Sequence, residues 1–495
     1  MNLLTQLFFA LFVTLPGGYC LLRCLFQVPP GNKALAFSMA YFSGLFLDIL
    51  LLNLLQWLPA ENAMVMAVWL ITGLHVMATV VIFWLWWSGR PQGQGSAKQW
   101  SGMPGQAALA ALGRSPRGST WITGLLLLVA TTWVLVTALQ ANGLPLLAWD
   151  AWSGWVAKAK IWRHAGLGAS IVSPDEWIEA TGSASVYASH MWHYPDAVGL
   201  IYAFFSHFSD GVEQGSGIIW PLSGGFLAMG IYGFLIFQCR QNHSECRLIA
   251  ALAVLLLLGS PLWWQHMFFA GYADILLAVY LWLAVACFAL WQQTRHVAYR
   301  YMAFGFLCAL PFIKLFGWFD MLLCVLVFYG IQRQKRRYAL WVLAGITLLS
   351  ITFWLSFPIS IDSAVGTWHF TRQQWQLPGF GIIQIGRFGD ISPWLEGLLF
   401  SRNWLLVWLA LPVLFIYAYR LRQQVPAFTF MVLLSGSYLL VVISLYSLTS
   451  FHQFAQSFTS SNRLLLPVYP LVVTTMFWAI IDNLNRTNAE NTPNK

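Results

Sequence analysis

Apolar runs long enough to cross a bilayer recur along the whole chain. A transmembrane α-helix needs about 20 mostly apolar residues, and 59% of the 495 residues are hydrophobic while only 9% are charged. A soluble core cannot absorb that much apolar surface, so the sequence predicts an all-α polytopic membrane protein. We expect about 13 transmembrane helices, at residues 3–25, 34–58, 63–87, 120–140, 216–238, 248–266, 272–292, 300–317, 318–331, 338–359, 403–419, 427–447 and 464–482.

A segment of different composition divides these spans into two blocks. Residues 88–119 are rich in Gly, Ser, Pro and Gln, which is typical of a flexible linker. This linker separates a three-span accessory block, residues 1–87, from a ten-span block, residues 120–482. Residues 483–495 are predicted to form a cytoplasmic tail.

Lysine and arginine accumulate in cytoplasmic loops, so their positions predict the orientation of the chain. With the N-terminus outside and the C-terminus inside, most of the 26 Lys and Arg residues face the cytoplasm, and most of the 17 acidic residues lie outside. The net charge of +9 therefore reflects membrane topology, and no nucleic-acid partner is expected. No Lys or Arg precedes the first apolar run, so we expect that run to be a retained span rather than a signal peptide.

Two large loops of the ten-span block, residues 141–215 and 360–402, are then predicted to lie outside. Both are rich in tryptophan, which is typical of amphipathic helices at the membrane interface. Residues 196–209 are apolar but short for a span, and counting them as one would put Arg240 and Arg247 outside. We therefore predict a second interfacial helix at 196–209.

The segment 148–163 places one carboxylate at the predicted membrane boundary. Tryptophans recur there at every third position and cations follow on the next turns: Trp149, Trp152, Trp155, Lys158, Lys160 and Arg163. Asp150 could act as a general base toward a hydroxyl or amine nucleophile; alternatively, it is a solvated loop acid or a helix N-cap. Lys158 and Lys160 are candidate contacts for a phosphate.

Histidines and cysteines give only weak indications of a metal site. His190 and His193 are three residues apart and could share a helical face as ligands, or they belong to an aromatic turn that ends at Pro195. The seven cysteines avoid the large outer loops, so no disulfide framework is expected. The group Cys239, His243 and Cys246 is either a poor metal cluster or a set of unrelated loop residues.

Three further charged residues lie at predicted outer span ends. Asp274 begins a span, where an acid is either functional or a charge favoured by the helix dipole. Lys314 could hold a phosphate as a point charge, snorkel to the interface or pair with Asp320. Arg463 heads the last span, where its guanidinium suits bidentate phosphate contact or anchors the helix by snorkelling. Two other polar groups, Asp48 and His75, lie inside spans 2 and 3 and are expected to pair there.

The order of these features resembles that of the integral-membrane C-type (GT-C) glycosyltransferases, a superfamily that includes protein mannosyltransferases and aminoarabinose transferases. The resemblance covers about residues 120–482 and is carried by Trp149-Asp150-Ala-Trp-Ser-Gly-Trp-Val-Ala-Lys158-Ala-Lys160, His193-Tyr-Pro195, Ser260-Pro261, Gly271-Tyr-Ala-Asp274-Ile, Ile313-Lys314-Leu-Phe-Gly317 and Arg463-Leu-Leu-Leu-Pro467. The sequence departs from the superfamily in having one proline after Tyr194 and in having Phe316 where an acid often stands.

The resemblance implies an enzyme of a bacterial-type inner membrane with its active site on the outer face. Asp150 would be the catalytic base and Asp274 a second essential acid. His193 and Tyr194 would contact substrate, and Lys314 and Arg463 would bind the lipid phosphate. The donor would be a polyprenyl-phosphate sugar and the acceptor a glycan, lipid or protein, with inversion in one displacement.

Some members of the superfamily use a divalent metal, for which Asp150, Asp274, His190 and His193 are the candidate ligands here. A transporter or flippase of lipid-linked sugars is an alternative function, and a polysaccharide polymerase or ligase is another. A transporter should line a path with ionisable groups at mid-membrane. In the ten-span block those groups cluster at span ends, which favours surface chemistry.

Overall fold

The chain is mostly helical, with long apolar helices that fit a polytopic membrane protein. The computed structural model describes residues 3–25, 32–57, 63–87, 117–179, 186–209, 216–239, 244–331, 348, 352, 355–363, 366–377, 381–386, 390–457 and 460–490. Seven helices in these ranges are long and apolar enough to cross a membrane, or eight if one bent pair is a single span. The figure of 13 stays a prediction, because span 338–359 lies largely outside the described residues, as does most of the linker 88–119.

The first half of the chain contributes nine helices within the described ranges. They are α1 (Leu3–Phe12), α2 (Leu15–Cys20, continued by a π-turn at Leu21–Leu25), α3 (Lys33–Leu55), α4 (Ala63–Trp87), α5 (Arg117–Gly143), α6 (Val156–Ala165), α7 (Pro174–Glu179), α8 (Ala197–Ser206) and α9 (Ile219–Gln238). The second half contributes α10 (Ser244–Gly259), α11 (Pro261–Phe268), α12 (Ala273–Thr294), α13 (Val297–Ile313), α14 (Gly317–Ile331), α15 (Ser392–Phe400), α16 (Ala410–Leu421), α17 (Pro426–Leu448), α18 (His452–Gln456), α19 (Ser461–Leu465) and α20 (Tyr469–Glu490).

Helix α12 forms the centre of the bundle. Every residue from Ala273 to Leu290 is buried, and a helix that is apolar on all sides requires neighbours on all sides. The indole of Trp282 donates a hydrogen bond to Thr474 on α20 (2.8 Å), and the Tyr280 hydroxyl donates to the Phe42 carbonyl on α3 (2.9 Å). The N-terminal helices therefore pack directly on the centre of the ten-span block.

A polar contact joins helices α2, α3 and α4 of the N-terminal block. The sequence predicts the part of it that pairs Asp48 with His75. His75 Nε2 lies 2.9 Å from Asp48 Oδ1, and the Gly17 N–H donates to His75 Nδ1 (3.0 Å). Because Nδ1 accepts this hydrogen bond, Nε2 carries the proton that is donated to Asp48. The predicted pairing of Asp48 with His75 is confirmed. A side chain at Gly18 would overlap the Ala40 carbonyl, so glycine allows the close crossing of α2 and α3.

Helices α10 and α11 form a pair bent by 64°. The bend follows from Pro261, which occupies the first turn of α11 and cannot donate the backbone hydrogen bond that would continue α10. Ser260 at the break donates to the Asn403 carbonyl (2.8 Å). This bond attaches the segment before α16 to the bend.

The two predicted outer loops differ from the interfacial helices that the sequence indicates. Residues 196–209 do form a helix, α8, but all ten of its residues are buried, so the predicted interfacial position is wrong. The loop 360–402 contains an antiparallel sheet of four strands in sequence order, β3 (Ile359–Ser363), β4 (Gly366–Phe370), β5 (Gln374–Leu377) and β6 (Gly381–Gln384), followed by α15. A shorter parallel pair, β1 (Ser170–Val172) and β2 (Val186–Ala188), lies in the first loop.

A disulfide between Cys239 and Cys246 closes the short connection from α9 to α10. The cysteine pattern predicts no disulfide framework, but this one bond forms because the two helix ends bring the Cα atoms to within 6.4 Å of each other. The bond also uses both sulfurs of the weak metal candidate, whose third member, His243, lies outside the described residues. Disulfides persist in oxidising compartments, so the pair should be reduced in cells if this end faces the cytoplasm.

The predicted orientation can be tested with single cysteine additions at opposite ends of the bundle. Glu176 on α7 and Gln423 between α16 and α17 are both exposed. A membrane-impermeant maleimide should label Glu176→Cys in intact cells and Gln423→Cys only after permeabilisation, with the unmodified chain as the background. The opposite pattern would put the Asp150 end in the cytoplasm.

Candidate functional site

Four charged side chains from four separate segments meet at one end of the bundle. Arg463 Nη2 lies 2.6 Å from Asp150 Oδ2 and 3.0 Å from Asp274 Oδ2, and its Nε also donates to Asp274 Oδ2 (3.2 Å). Lys314 Nζ lies 2.6 Å from Asp274 Oδ1. We call these four residues the charge cluster; its two cations and two carboxylates balance each other.

The local folds that present the cluster differ from segment to segment. Asp274 lies in the first turn of α12, and its side chain is 1% exposed. Lys314 follows the last residue of α13 in an extended conformation. Arg463 lies on the short helix α19. Asp150 precedes a π-turn at Ala151–Trp155, but its carboxylate makes no capping hydrogen bond there, so the N-cap alternative is not formed.

The buried half of the cluster is held by complementary charge. Moving a lone carboxylate out of water is costly, and Asp274 compensates by binding both a guanidinium and an ammonium. The alternative pairing of Lys314 with Asp320 is not formed, since neither Asp320 oxygen has a hydrogen-bond partner among the described residues. Asp150 is 24% exposed, so a reactant can reach it from outside the bundle.

A cavity of about 280 Å³ adjoins the cluster at Arg463. Its other lining residues are Leu262 and six polar groups: Gln265, His266, Tyr272, Ser401, Asn403 and Asn462. The Arg463 guanidinium lies over the Tyr272 ring, 4.2 Å from its centroid. Burial raises the pKa of the Tyr272 phenol, and Arg463 opposes that rise.

These polar lining residues were not identified from the sequence. The sequence offers a reason to consider two of them, because Asn462 directly precedes Arg463 and Tyr272 lies two residues before Asp274. His266 is the last residue of the predicted transmembrane helix 248–266, where nothing in the local sequence indicates a binding site. Ser401 and Asn403 reach the cavity only because Ser260 holds their segment against the bend between α10 and α11.

Lys158 does not belong to the charge cluster. Its ammonium donates to the carbonyls of Trp192 (3.1 Å) and Tyr194 (2.7 Å) and to Asp196 Oδ1 (2.7 Å). An ammonium has three donors, so none is left for a phosphate, and the side chain is 1% exposed. Burial lowers the pKa of Lys158, while Asp196 raises it. The predicted phosphate contact is therefore replaced by a structural role. Lys160, on the same helix, is half-buried.

Of the segment His190–Asp196, Tyr194 lies close enough to the charge cluster to interact with its charges. The Tyr194 ring packs edge-on against Trp155; burial raises the pKa of its phenol, as do the charges of Asp150 and Asp274. His193 packs beside Tyr194, and burial together with Lys158 lowers the pKa of its imidazole. His193 is therefore neutral at neutral pH. His190 is exposed.

The candidate metal ligands do not assemble into a metal site. Within the ranges that the structure describes, no three His, Cys, Asp or Glu side chains come together as ligands. Asp150 and Asp274 instead share the Arg463 guanidinium, which occupies the position that a bridging cation would need. The residues present therefore do not fit a divalent ion held between these two acids.

Replacing Lys158 should destabilise the fold. Lys158→Met leaves two half-buried carbonyls and the Asp196 carboxylate without their donor, which should cost about 2 kcal/mol. The measurement is thermal unfolding of purified protein in detergent, with Lys33→Met at an exposed lysine as the control. Equal unfolding midpoints for the two variants would contradict the structural role of Lys158.

No known family, curated protein or solved structure was found to match this chain.

Proposed function

We propose that this chain is a membrane glycosyltransferase that moves a sugar from a polyprenyl-phosphate donor to a glycan, lipid or protein acceptor at the outer membrane face. The observation that carries the proposal is the charge cluster. A partly exposed carboxylate, Asp150, shares a guanidinium with a buried acid beside a polar cavity. Asp150 and Arg463, which lie near opposite ends of the region that carries the resemblance, both contribute to this one site.

The two kinds of charge match the two demands of the reaction. The acceptor oxygen attacks the anomeric carbon, the bond from that carbon to the phosphate oxygen breaks, and the lipid phosphate departs with the electron pair. Asp150 accepts the proton of the acceptor hydroxyl. Arg463 and Lys314 offset the charge that develops on the departing phosphate. Attack opposite the leaving group inverts the anomeric centre.

The contact between Arg463 and Asp150 suggests how donor binding prepares the base. While Arg463 Nη2 contacts Asp150 Oδ2 at 2.6 Å, the guanidinium occupies that oxygen. An incoming phosphate competes for the same guanidinium and can take over its fork of donors. Asp150 Oδ2 is then released from Arg463 as the donor arrives and can contact the acceptor hydroxyl.

A transporter of lipid-linked sugars finds less support. The buried pair of Asp48 and His75 is one ionisable feature at a depth that would suit a path through the membrane. The two groups bind each other and the Gly17 backbone, which fits helix packing. The charged residues of the cluster instead lie at helix ends.

Removing the proposed base should abolish transfer but preserve donor binding. Asp150→Asn keeps the shape of the side chain and should lower the transfer rate at least about 100-fold, the usual contribution of a general base. Purified, monodisperse protein would be assayed with polyprenyl-phosphate sugars and a mixed panel of acceptors.

Asp175→Asn is the matched control, since Asp175 is exposed on α7 away from the cluster. It should transfer at the rate of the unmodified chain. Full transfer by correctly folded Asp150→Asn would remove Asp150 from the mechanism.

A further inference from the structure

Three residues that line the cavity beside Arg463 each carry a buried polar atom that lacks a hydrogen-bond partner. These atoms are His266 Nε2, Ser401 Oγ and Asn462 Oδ1, and each is buried without a partner among the described residues. His266 is 3% exposed and Asn462 is 8% exposed. Leaving such groups unsatisfied is unfavourable, so three of them around one cavity indicate a ligand that supplies several hydrogen-bonding groups.

The chemistry of these atoms favours hydroxyl groups. His266 Nδ1 lies 2.9 Å from the Leu262 carbonyl, and because a carbonyl only accepts, Nδ1 carries the proton. Nε2 of the neutral ring is then an unpartnered acceptor on a residue that lines the cavity. Asn462 Oδ1 is also an acceptor, while Ser401 Oγ both donates and accepts. A ligand that carries several hydroxyls can satisfy all three.

The size and charge of the cavity further restrict the class of ligand that it can bind. Its volume of about 280 Å³ is at the small end of the about 300–1,000 Å³ typical of small-molecule sites, which suits a single ring. Arg463 is the charged side chain in its described lining, and no carboxylate lines it. A cationic substituent would therefore find no carboxylate among the lining residues to pair with.

We infer that this cavity binds the sugar ring of the donor, and that it accepts an uncharged, hydroxyl-bearing ring while disfavouring an amino sugar. The inference rests on the proposed function. Arg463 belongs to both the cavity and the charge cluster, so a ring in the cavity has its anomeric phosphate next to the guanidinium. The ring of a glycan acceptor has the same chemistry, and the experiment separates the two sources.

The test measures binding to the full chain in detergent by microscale thermophoresis. The probes are citronellyl phosphate, its glucosyl, mannosyl and galactosyl esters, and its aminoarabinosyl ester; the free methyl glycosides of the neutral sugars represent an acceptor ring. At least one neutral ester should bind more tightly than bare citronellyl phosphate, and the aminoarabinosyl ester should not. The methyl glycosides should not compete with that neutral ester.

Two substitutions test the cavity itself. Asn462→Ala should weaken the best neutral ester about fivefold, the effect of one lost hydrogen bond, and should leave bare citronellyl phosphate unchanged. Asn403→Asp, which adds a carboxylate, should raise the affinity of the aminoarabinosyl ester relative to the neutral one. Gln453→Ala, at an exposed amide outside the cavity, is the control and should change neither affinity.

The outcomes separate this inference from the proposed function. If no citronellyl phosphate compound binds, the proposed function fails and the inference fails with it. If bare citronellyl phosphate binds as well as every glycosyl ester, or if the aminoarabinosyl ester binds best, the inference alone is overturned. Competition by a methyl glycoside would assign the cavity to the acceptor and would also overturn it.

Discussion

The site depends on one guanidinium shared between two carboxylates. Arg463 lies on a short helix before α20, Asp274 lies in the first turn of the central helix α12, and Asp150 directly precedes the π-turn at Ala151–Trp155. Charges at the edge of an apolar bundle need partners nearby, so this contact holds three distant parts of the chain at one end. Lys314 completes the compensation for Asp274 from a fourth segment.

The cavity follows from the bend between α10 and α11. Because Pro261 interrupts the helix, the polar residues of α11 face the same space as Tyr272 and the residues before α16. An unbroken helix would have carried Gln265 and His266 along the bundle instead of beside Arg463. The charge cluster and the cavity therefore share Arg463 but have separate structural origins.

Some errors of prediction from the sequence have a common cause. Tryptophan and apolar residues near a span end occur both in interfacial helices and in buried ones, so α8 was placed at the surface although it is packed inside. In the second loop, β3 and β5 alternate polar and apolar residues, a two-residue period that composition alone does not reveal. Lys158 was assigned to a phosphate because a cation near a boundary carries no sign of the three acceptors that surround it.

The sequence by itself determined the membrane class, the buried pairing of Asp48 with His75, and the short list of charged residues at span ends. These follow from local patterns, because a long apolar run has few other structures available and a polar group inside it needs a partner. Only the tertiary structure decided that Asp150, Asp274, Lys314 and Arg463 meet while Lys158 does not. Such contacts join residues up to 313 positions apart, and their formation depends on how helices pack around α12, which no local pattern records.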